Sequence, residues 1–305
     1  MSFEEQERAL FDLLFDRSLR EGFCKDSVAA LSQYQLDEDE RNDFIEVRPD
    51  ALELDASIRA DLLLSHFCRA FPISFSIVSS LTSGLDILKG LVDGQTMRTS
   101  PVERPTMFGG RLREHLNTVS FELPDEKAKV LAILDAELGM AWTSASLKRE
   151  VLDKGMPSIM SSKTGEDWPS NTIKLAPYVC AVIIPMPYKE LKKLFCSKPE
   201  CDLWRCLSKT PISTSKRRKI LEKDDPRLFV ARAHVSHMSR CEPAVDQKTA
   251  ELSEGFASLF HYINGTTSVE QILAQLEQIG APEQMLQGVQ SAFKDLLESG
   301  MLEFA

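Results

Sequence analysis

The sequence lacks the features that mark membrane, secreted and nucleic-acid-binding chains. No uninterrupted apolar run approaches the about 18–20 residues that a membrane-spanning helix needs. The first ten residues, MSFEEQERAL, are acidic and amphipathic, without the charge pattern of a signal peptide. Lys and Arg number 36 against 46 Asp and Glu, and the net charge of −10 disfavours polyanions. We therefore expect a cytoplasmic chain of about two or three domains, with no membrane or nucleic-acid partner.

Metal-binding and catalytic motifs are also missing. The five histidines do not cluster, and no H-E-x-x-H, G-x-S-x-G or G-x-G-x-x-G pattern stands in a matching context. Cys196, Cys201 and Cys206 recur every five residues, and on a helix such steps turn successive thiols by about 140°, away from a shared face. Structural zinc sites prefer gaps of two to four residues. We predict reduced cysteines, no metal or cofactor in this chain, and no catalytic residues.

The most informative stretch is residues 251–305, whose caps and helical periodicity predict three short helices and a terminal strand. This is the outline of a winged helix-turn-helix. The predicted signals are an N-cap at Ser253, a stop at Asn264-Gly265, a capping box of Ser268 with Gln271, a third helix from about Glu283 to Gly300, and a strand at residues 301–304.

The charge of this stretch argues against the usual ligand of a winged helix, DNA. Residues 251–305 contain eight acidic residues and one basic residue, Lys294, a net charge of −7. Contacts between basic side chains and phosphates supply most DNA affinity. We therefore predict no DNA binding here.

The rest of the chain divides by pattern. We place an all-helical domain at residues 1–149, a mixed connector at 150–226 and a winged-helix domain at 227–305. In the connector, residues 173–186 predict a strand that prolines place at a sheet edge, residues 188–207 predict helix, and the basic run 216–219 predicts a solvated loop. In the last region Leu228, Val230 and Val235 suggest strands, and residues 248–252 predict an extended segment leading into the helix at Ser253.

Two resemblances follow from these patterns. LFDLLFDRSLREGFCKDSVAALSQYQLDEDE resembles the small helical domain of aromatic ring-opening dioxygenase accessory chains and of helper proteins in peptide-modifying systems. ELSEGFASLFHYINGTTSVEQI resembles the centre of the PqqD-like peptide-recognition domain. The matching N-terminal positions are Leu13, Leu14, Asp16, Leu19, Arg20, Phe23, Asp26, Ala30, Leu31, Tyr34, Leu36 and Glu40.

Together the two segments are similar to the partner subunits of multinuclear non-haem iron peptide-modifying enzymes, of the methanobactin and 3-thiaglutamate (TglI-like) type. The resemblance implies a mostly α protein: an N-terminal all-helical docking domain plus a C-terminal α+β winged-helix (PqqD-like) domain that binds a ribosomally made precursor peptide. It also implies a separate TIM-barrel partner that holds the iron and excises the β-carbon of the peptide's C-terminal cysteine. In that family the peptide adds to a sheet edge as a strand.

Geometry suggests which residues of this chain would hold the peptide. The strand side would be Arg232, His234, Lys248, Ala250 and Leu252. The groove wall would be Gln290, Phe293, Lys294 and Leu297 on the third helix, although core packing explains Phe293 and Leu297 equally well. Lys294, the lone base among eight acids, would suit an acidic peptide.

Two alternatives remain open from the sequence. One is a winged-helix transcriptional regulator, which the charge of −7 disfavours. The other is a stand-alone cysteine or metal enzyme that uses the cysteines at 196, 201 and 206.

Overall fold

The computed structural model describes residues 3–123, 125–156, 167–196, 198–238 and 243–305. The chain is mostly helical, with two small antiparallel sheets. It forms two compact units: Met1–Glu114 with Lys198–Ile212, and His115–Ser197 with Ser213–Ala305. This grouping differs from the sequence-based one, because part of the expected connector joins the first unit and the longest helix of the expected helical domain joins the second.

The first unit is all helical. Its helices are α1 (Phe3–Phe15), α2 (Arg17–Lys25), α3 (Ser27–Leu31), α4 (Glu38–Ile45), α5 (Pro49–Ala70), α6 (Pro72–Ser79), α7 (Gly84–Gly90), α8 (Gly94–Arg98), α9 (Arg104–Thr118), which runs on into the second unit, and α12 (Glu200–Leu207). The predicted capping box of Asp37 with Glu40 begins α4. Every residue of α6 is buried, so this helix lies at the centre of the unit.

The second unit contains both sheets. Its remaining elements are α10 (Glu126–Lys154), a 3₁₀ helix (Trp168–Ser170), β1 (Thr172–Leu175), β2 (Val179–Ile184), α11 (Tyr188–Phe195), α13 (Thr214–Leu221), β3 (Arg227–Met238), β4 (Pro243–Ser253), a 3₁₀ helix (Glu254–Tyr262), β5 (Asn264–Ser268), α14 (Val269–Gln278), α15 (Glu283–Glu298) and β6 (Leu302–Phe304). We call β2-β3-β4 the hairpin sheet and β5-β1-β6 the terminal sheet.

The hairpin sheet is packed on both faces. Helix α10 contacts all three of its strands on one face. On the other face Leu228 and Val230 join the C-terminal core, a buried cluster that includes Val269, Ile272 and Phe293. Because side chains alternate along a strand, even-numbered residues of β4 and of β3 up to Val235 face the C-terminal core and odd-numbered residues face α10; the register of β3 shifts beyond Val235.

Helix α10 has the length and mean hydropathy that would allow it to cross a membrane, although the sequence contains no long uninterrupted apolar run. In this structure Val130, Ile133, Leu147 and Val151 are buried, and the helix packs against the hairpin sheet. Its apolar residues therefore have a place in the core of the second unit.

Several sequence-based predictions at the C-terminus are confirmed. Ser268 and Gln271 form the expected capping box of α14. Gly300, with a φ of +77°, follows α15 in the left-handed region that glycine tolerates, and β6 forms directly after it.

Three other local predictions are corrected. The segment that begins after Ser253 is a 3₁₀ helix without a side-chain cap, because β4 continues through Ser253 and pairs it with Arg227. The single strand at residues 173–186 is two strands in two different sheets, and β1 is the middle strand of its sheet. The helix at residues 188–207 is two helices, α11 and α12.

The basic run is also not a solvated loop. It lies in α13, where Arg217 is buried and its Nε donates to Glu126 Oε1 at 2.6 Å. Arg218 forms an ion pair with Glu122. The acidic partners of Arg217 and Arg218 lie more than 90 residues earlier in the chain. The composition of the basic run alone therefore does not reveal that these arginines are paired.

Candidate peptide-binding edge

Strand β4 is an edge strand of the hairpin sheet. It is eleven residues long and pairs antiparallel with β3, from Arg227 opposite Ser253 to Met238 opposite Pro243. Among the described residues no strand pairs with its other side. An open edge of this length presents a row of unpaired backbone groups that an extended chain can join.

The register shows which backbone groups point outward. Ala233 donates its N–H to the carbonyl of Tyr178, so its polar groups point toward β2 and away from β4. Opposite residues of an antiparallel pair alternate between hydrogen-bonded and non-hydrogen-bonded pairs. Gln247, which faces Ala233, is therefore in a non-hydrogen-bonded pair, and the backbone N–H and C=O of Gln247, Thr249 and Glu251 point to the open side. Lys248 and Ala250 instead bond to β3.

The odd-numbered side chains of β4 are fixed on the α10 face. Gln247 Nε2 donates to Met140 O at 3.0 Å and to Ser144 Oγ at 2.8 Å on α10. Glu251 Oε1 accepts the backbone N–H of Tyr188 at 3.0 Å. Thr249, between them, is exposed. These contacts attach β4 to α10 and to the first residue of α11.

The even-numbered side chains face the C-terminal core. Ala250 and Leu252 are half-buried and pack against that core, whereas Lys248 is exposed. Lys248 lies directly opposite Arg232 of β3, so two cationic side chains face each other across the strands. The predicted strand-side residues Lys248, Ala250 and Leu252 thus share one face of the open edge.

Arg232 and His234 do not lie on the edge strand of the hairpin sheet. Both belong to β3, the middle strand of the hairpin sheet, because β4 takes the outer position. Arg232 Nη1 donates to Gly300 O at the end of α15, and burial lowers the pKa of its guanidinium while the charge of Glu303 opposes that shift. Any Cβ at residue 300 would meet Arg232 Nη1 at 2.0 Å. Arg232 therefore joins the sheet to α15, and its contact with a peptide stays a prediction.

His234 is half-buried opposite Asp246, and its Nδ1 has no hydrogen-bond partner among the described residues.

The predicted groove residues on α15 separate into two pairs. Phe293 and Leu297 are 0% and 1% exposed, and the Phe293 ring lies 5.0 Å from that of Phe256 in the C-terminal core. Their burial is explained by core packing. Gln290 is half-buried and Lys294 is exposed, with its Nζ 3.9 Å from Glu298. Only the second pair offers side-chain surface to a ligand.

Sequence reasoning missed Gln247, Thr249 and Glu251, whose backbone groups form the open edge. The signal was available in part, because polar and apolar residues alternate through TAELS at residues 249–253. What the sequence does not reveal is which strand is outermost, since that depends on pairing with β3.

The described residues contain no group of three or more His, Cys, Asp or Glu side chains that would hold a metal ion. Cys201 and Cys241 lie outside the residues whose side chains are described. Burial raises the pKa of the Cys180 thiol to about 11, so this thiol is protonated at neutral pH.

No protein-family model, no curated protein and no solved structure matches the chain.

Proposed function

We propose that this chain is a non-catalytic subunit that binds an extended, ribosomally made precursor or scaffold peptide along β4. It holds the peptide's C-terminal cysteine for a separate iron-dependent oxidative enzyme. The observation that carries the proposal is the open edge of β4, where Gln247, Thr249 and Glu251 direct backbone donors and acceptors outward. Addition of a strand to such an edge supplies main-chain hydrogen bonds, and side-chain contacts supply selectivity.

The order of elements supports a winged-helix, PqqD-like assignment for this region. Strands β3 and β4 are followed by a 3₁₀ helix, β5, α14, α15 and β6, and three helices separate β2 from β3. Strands followed by three helical segments is the order that the resemblance of residues 251–272 implies, and β5 is an additional strand between the first two of these segments. The net charge of −7 over residues 251–305 favours a peptide over DNA as the ligand.

We infer the partner enzyme from the resemblance of the N-terminal helices. That resemblance implies a TIM-barrel subunit with several iron ions. A bound peptide raises the effective concentration of its reacting end near that subunit, and orientation makes the reaction effectively intramolecular. In this proposal the iron belongs to the partner and this chain needs no cofactor.

The test compares two substitutions at one exposed position. Thr249→Pro removes an outward N–H and places a ring on the open side, whereas Thr249→Val keeps the N–H. The probe is a fluorescent twelve-residue peptide selected from a displayed random library on the full chain. We expect Thr249→Pro to weaken binding about tenfold, from one lost hydrogen bond and the ring's obstruction, and Thr249→Val to bind as the wild type does.

Equal binding by both variants, with the proline variant folded, would exclude strand addition at β4. Failure of the library to yield any binding peptide would remove the proposed function altogether.

A second measurement separates this function from its alternatives. The purified chain is expected to contain no iron by metal analysis and to show no salt-dependent binding to duplex DNA. Stoichiometric metal would favour the stand-alone enzyme, and salt-dependent DNA binding would favour the regulator.

A further inference from the structure

We infer that β4 selects its peptide by charge and apolarity at alternate positions: an acidic side chain opposite Lys248 and apolar side chains opposite Ala250 and Leu252. This inference rests on the proposed function and names the class of peptide. The selecting residues are those of the β4 face that packs toward the C-terminal core.

The backbone geometry separates the residues that hydrogen-bond the peptide from those that contact its side chains. Gln247, Thr249 and Glu251 would form the hydrogen-bonded pairs with an added antiparallel strand. Lys248, Ala250 and Leu252 would then stand in the non-hydrogen-bonded pairs. Side chains approach most closely in non-hydrogen-bonded pairs, with Cα atoms about 4.5 Å apart, so these positions discriminate most strongly between peptides.

The charge preference follows from Lys248 and its neighbour on β3. Lys248 is exposed, and among the described residues it takes part in no ion pair. Arg232 lies directly opposite it, and like charges in facing positions repel. A carboxylate on the added strand would relieve that repulsion, whereas a third cation would increase it.

The apolar preference follows from Ala250 and Leu252. Both side chains are half-buried and pack against the C-terminal core. Their remaining exposed surface lies at the edge of the sheet, where an added strand would pass. An apolar side chain opposite each of them would extend that core by one strand. In contrast, Thr249 on the other face is exposed and sets no such requirement.

These positions define a pattern in the peptide. All strand pairs in both sheets are antiparallel, and an added antiparallel strand continues that geometry. Read from its N-terminus, the peptide would have apolar residues opposite Leu252 and Ala250, two positions apart, and an acidic residue two positions later opposite Lys248.

The experiment uses two synthetic nine-residue peptides that share the two apolar residues and differ only in Glu or Lys at the third selecting position. The wild-type chain should bind the Glu peptide about tenfold more tightly than the Lys peptide, since attraction is exchanged for repulsion. Lys248→Glu should invert this order. Lys219→Glu makes the same charge change at an exposed residue of α13 and should leave the order as it is in the wild type.

The outcomes distinguish the inference from the function on which it rests. If both peptides bind equally and Thr249→Pro weakens both, the peptide adds to β4 but the inference fails. If Lys294→Glu rather than Lys248→Glu inverts the order, selection belongs to α15 and the inference also fails. If neither peptide binds, and no peptide from the random library binds, the proposed function itself fails.

Discussion

The two edges of the hairpin sheet are built differently, although the same helix supports both. Strand β2 is six residues long and has no charged residue, and α10 approaches it so closely that a Cβ at residue 139 would lie 3.0 Å from Cβ and Sγ of Cys180. Strand β4 is eleven residues long, includes Asp246, Lys248 and Glu251, and is held to α10 by side-chain hydrogen bonds from Gln247. Charges on an edge strand discourage indiscriminate pairing and leave room for a complementary strand.

The contrast separates the closely packed side of the sheet from the side that is available to a ligand. The β2 side is fixed by close packing, which tolerates little change. The β4 side is fixed through polar contacts of its side chains, and no strand among the described residues pairs with its outer backbone groups. Substitutions on the two sides should therefore differ in their effect on stability.

The largest effect should come from proline in the middle strand rather than at the open edge. Ala231 of β3 is fully buried, and its N–H points toward β2, so Ala231→Pro removes a buried ladder bond. We expect a loss on the order of 3 kcal/mol in the free energy of unfolding. Thr249→Pro should cost less than about 1 kcal/mol, because its N–H faces solvent. Urea denaturation measures both, and equal losses would contradict the placement of β4 at the edge.

A smaller loss should follow from Gly139→Ala on the β2 side. A Cβ at this position would lie 3.0 Å from both Cβ and Sγ of Cys180, so α10 or β2 must shift. Overpacking should cost about 1–3 kcal/mol and the helix preference of alanine should offset about 0.5–1 kcal/mol of it, so we expect a net loss of about 0.5–2 kcal/mol.

The control for that substitution is Gly288→Ala in α15, where a Cβ meets nothing within 4 Å. This change should stabilise the protein by about 0.5–1 kcal/mol, because alanine favours helix. If both substitutions stabilise the protein, α10 does not pack closely against β2.

On the β4 side, Gln247→Leu should have a moderate effect. It removes the hydrogen bonds to Met140 O and Ser144 Oγ that tie β4 to α10. We expect a loss of about 1–2 kcal/mol in thermal or urea unfolding. Thr249→Val is the neighbouring control, since its side chain is exposed and it should change stability by less than about 0.5 kcal/mol. A neutral Gln247→Leu would mean that these bonds do not fix the strand.

A pH-dependent effect concerns Cys180 on β2. Burial raises the pKa of this thiol from its ordinary 9.0 to about 11 in the folded protein. Below pH 9 the Cys180 thiol keeps its proton in both the folded and the unfolded protein, and its contribution to the free energy of unfolding is fully present. It is lost as the pH rises from about 9 to about 11, because the unfolded chain releases its proton first.

The measurement is the difference in unfolding free energy between the wild type and Cys180→Ala across that pH range. This difference should decrease by about 2–3 kcal/mol, because a shift of about two pKa units corresponds to about 2.7 kcal/mol. A difference that does not change with pH would show that the thiol is not desolvated.

Local signals in the sequence predicted the local structure well. The capping box at Ser268, the stop at Gly300 and the strand after it depend on neighbouring residues, and each is present. Predictions failed where distant residues decide. Arg217 is buried because Glu126, 91 residues earlier in the chain, pairs with it.

The candidate site was predictable to a similar degree. Residues 248–252 were recognised as extended, and they lie in β4. Arg232 and His234 were placed with them, but strand order puts β3 in the middle of the sheet. The break between β1 and β2 was missed because Tyr178, with a φ of +60°, turns a continuous apolar stretch into two strands. Strand order results from pairing over long distances, which one sequence does not reveal.

The most direct test of the central claim is amide hydrogen exchange with and without a peptide selected from the random library. Strand addition at β4 predicts that the N–H groups of Thr249 and Glu251 gain protection, because they point to the open side. The N–H groups of Lys248 and Ala250, already bonded to β3, should stay unchanged. Protection that appears instead at Val179, Ala181 and Ile183 of β2, or without alternation along β4, would contradict the account.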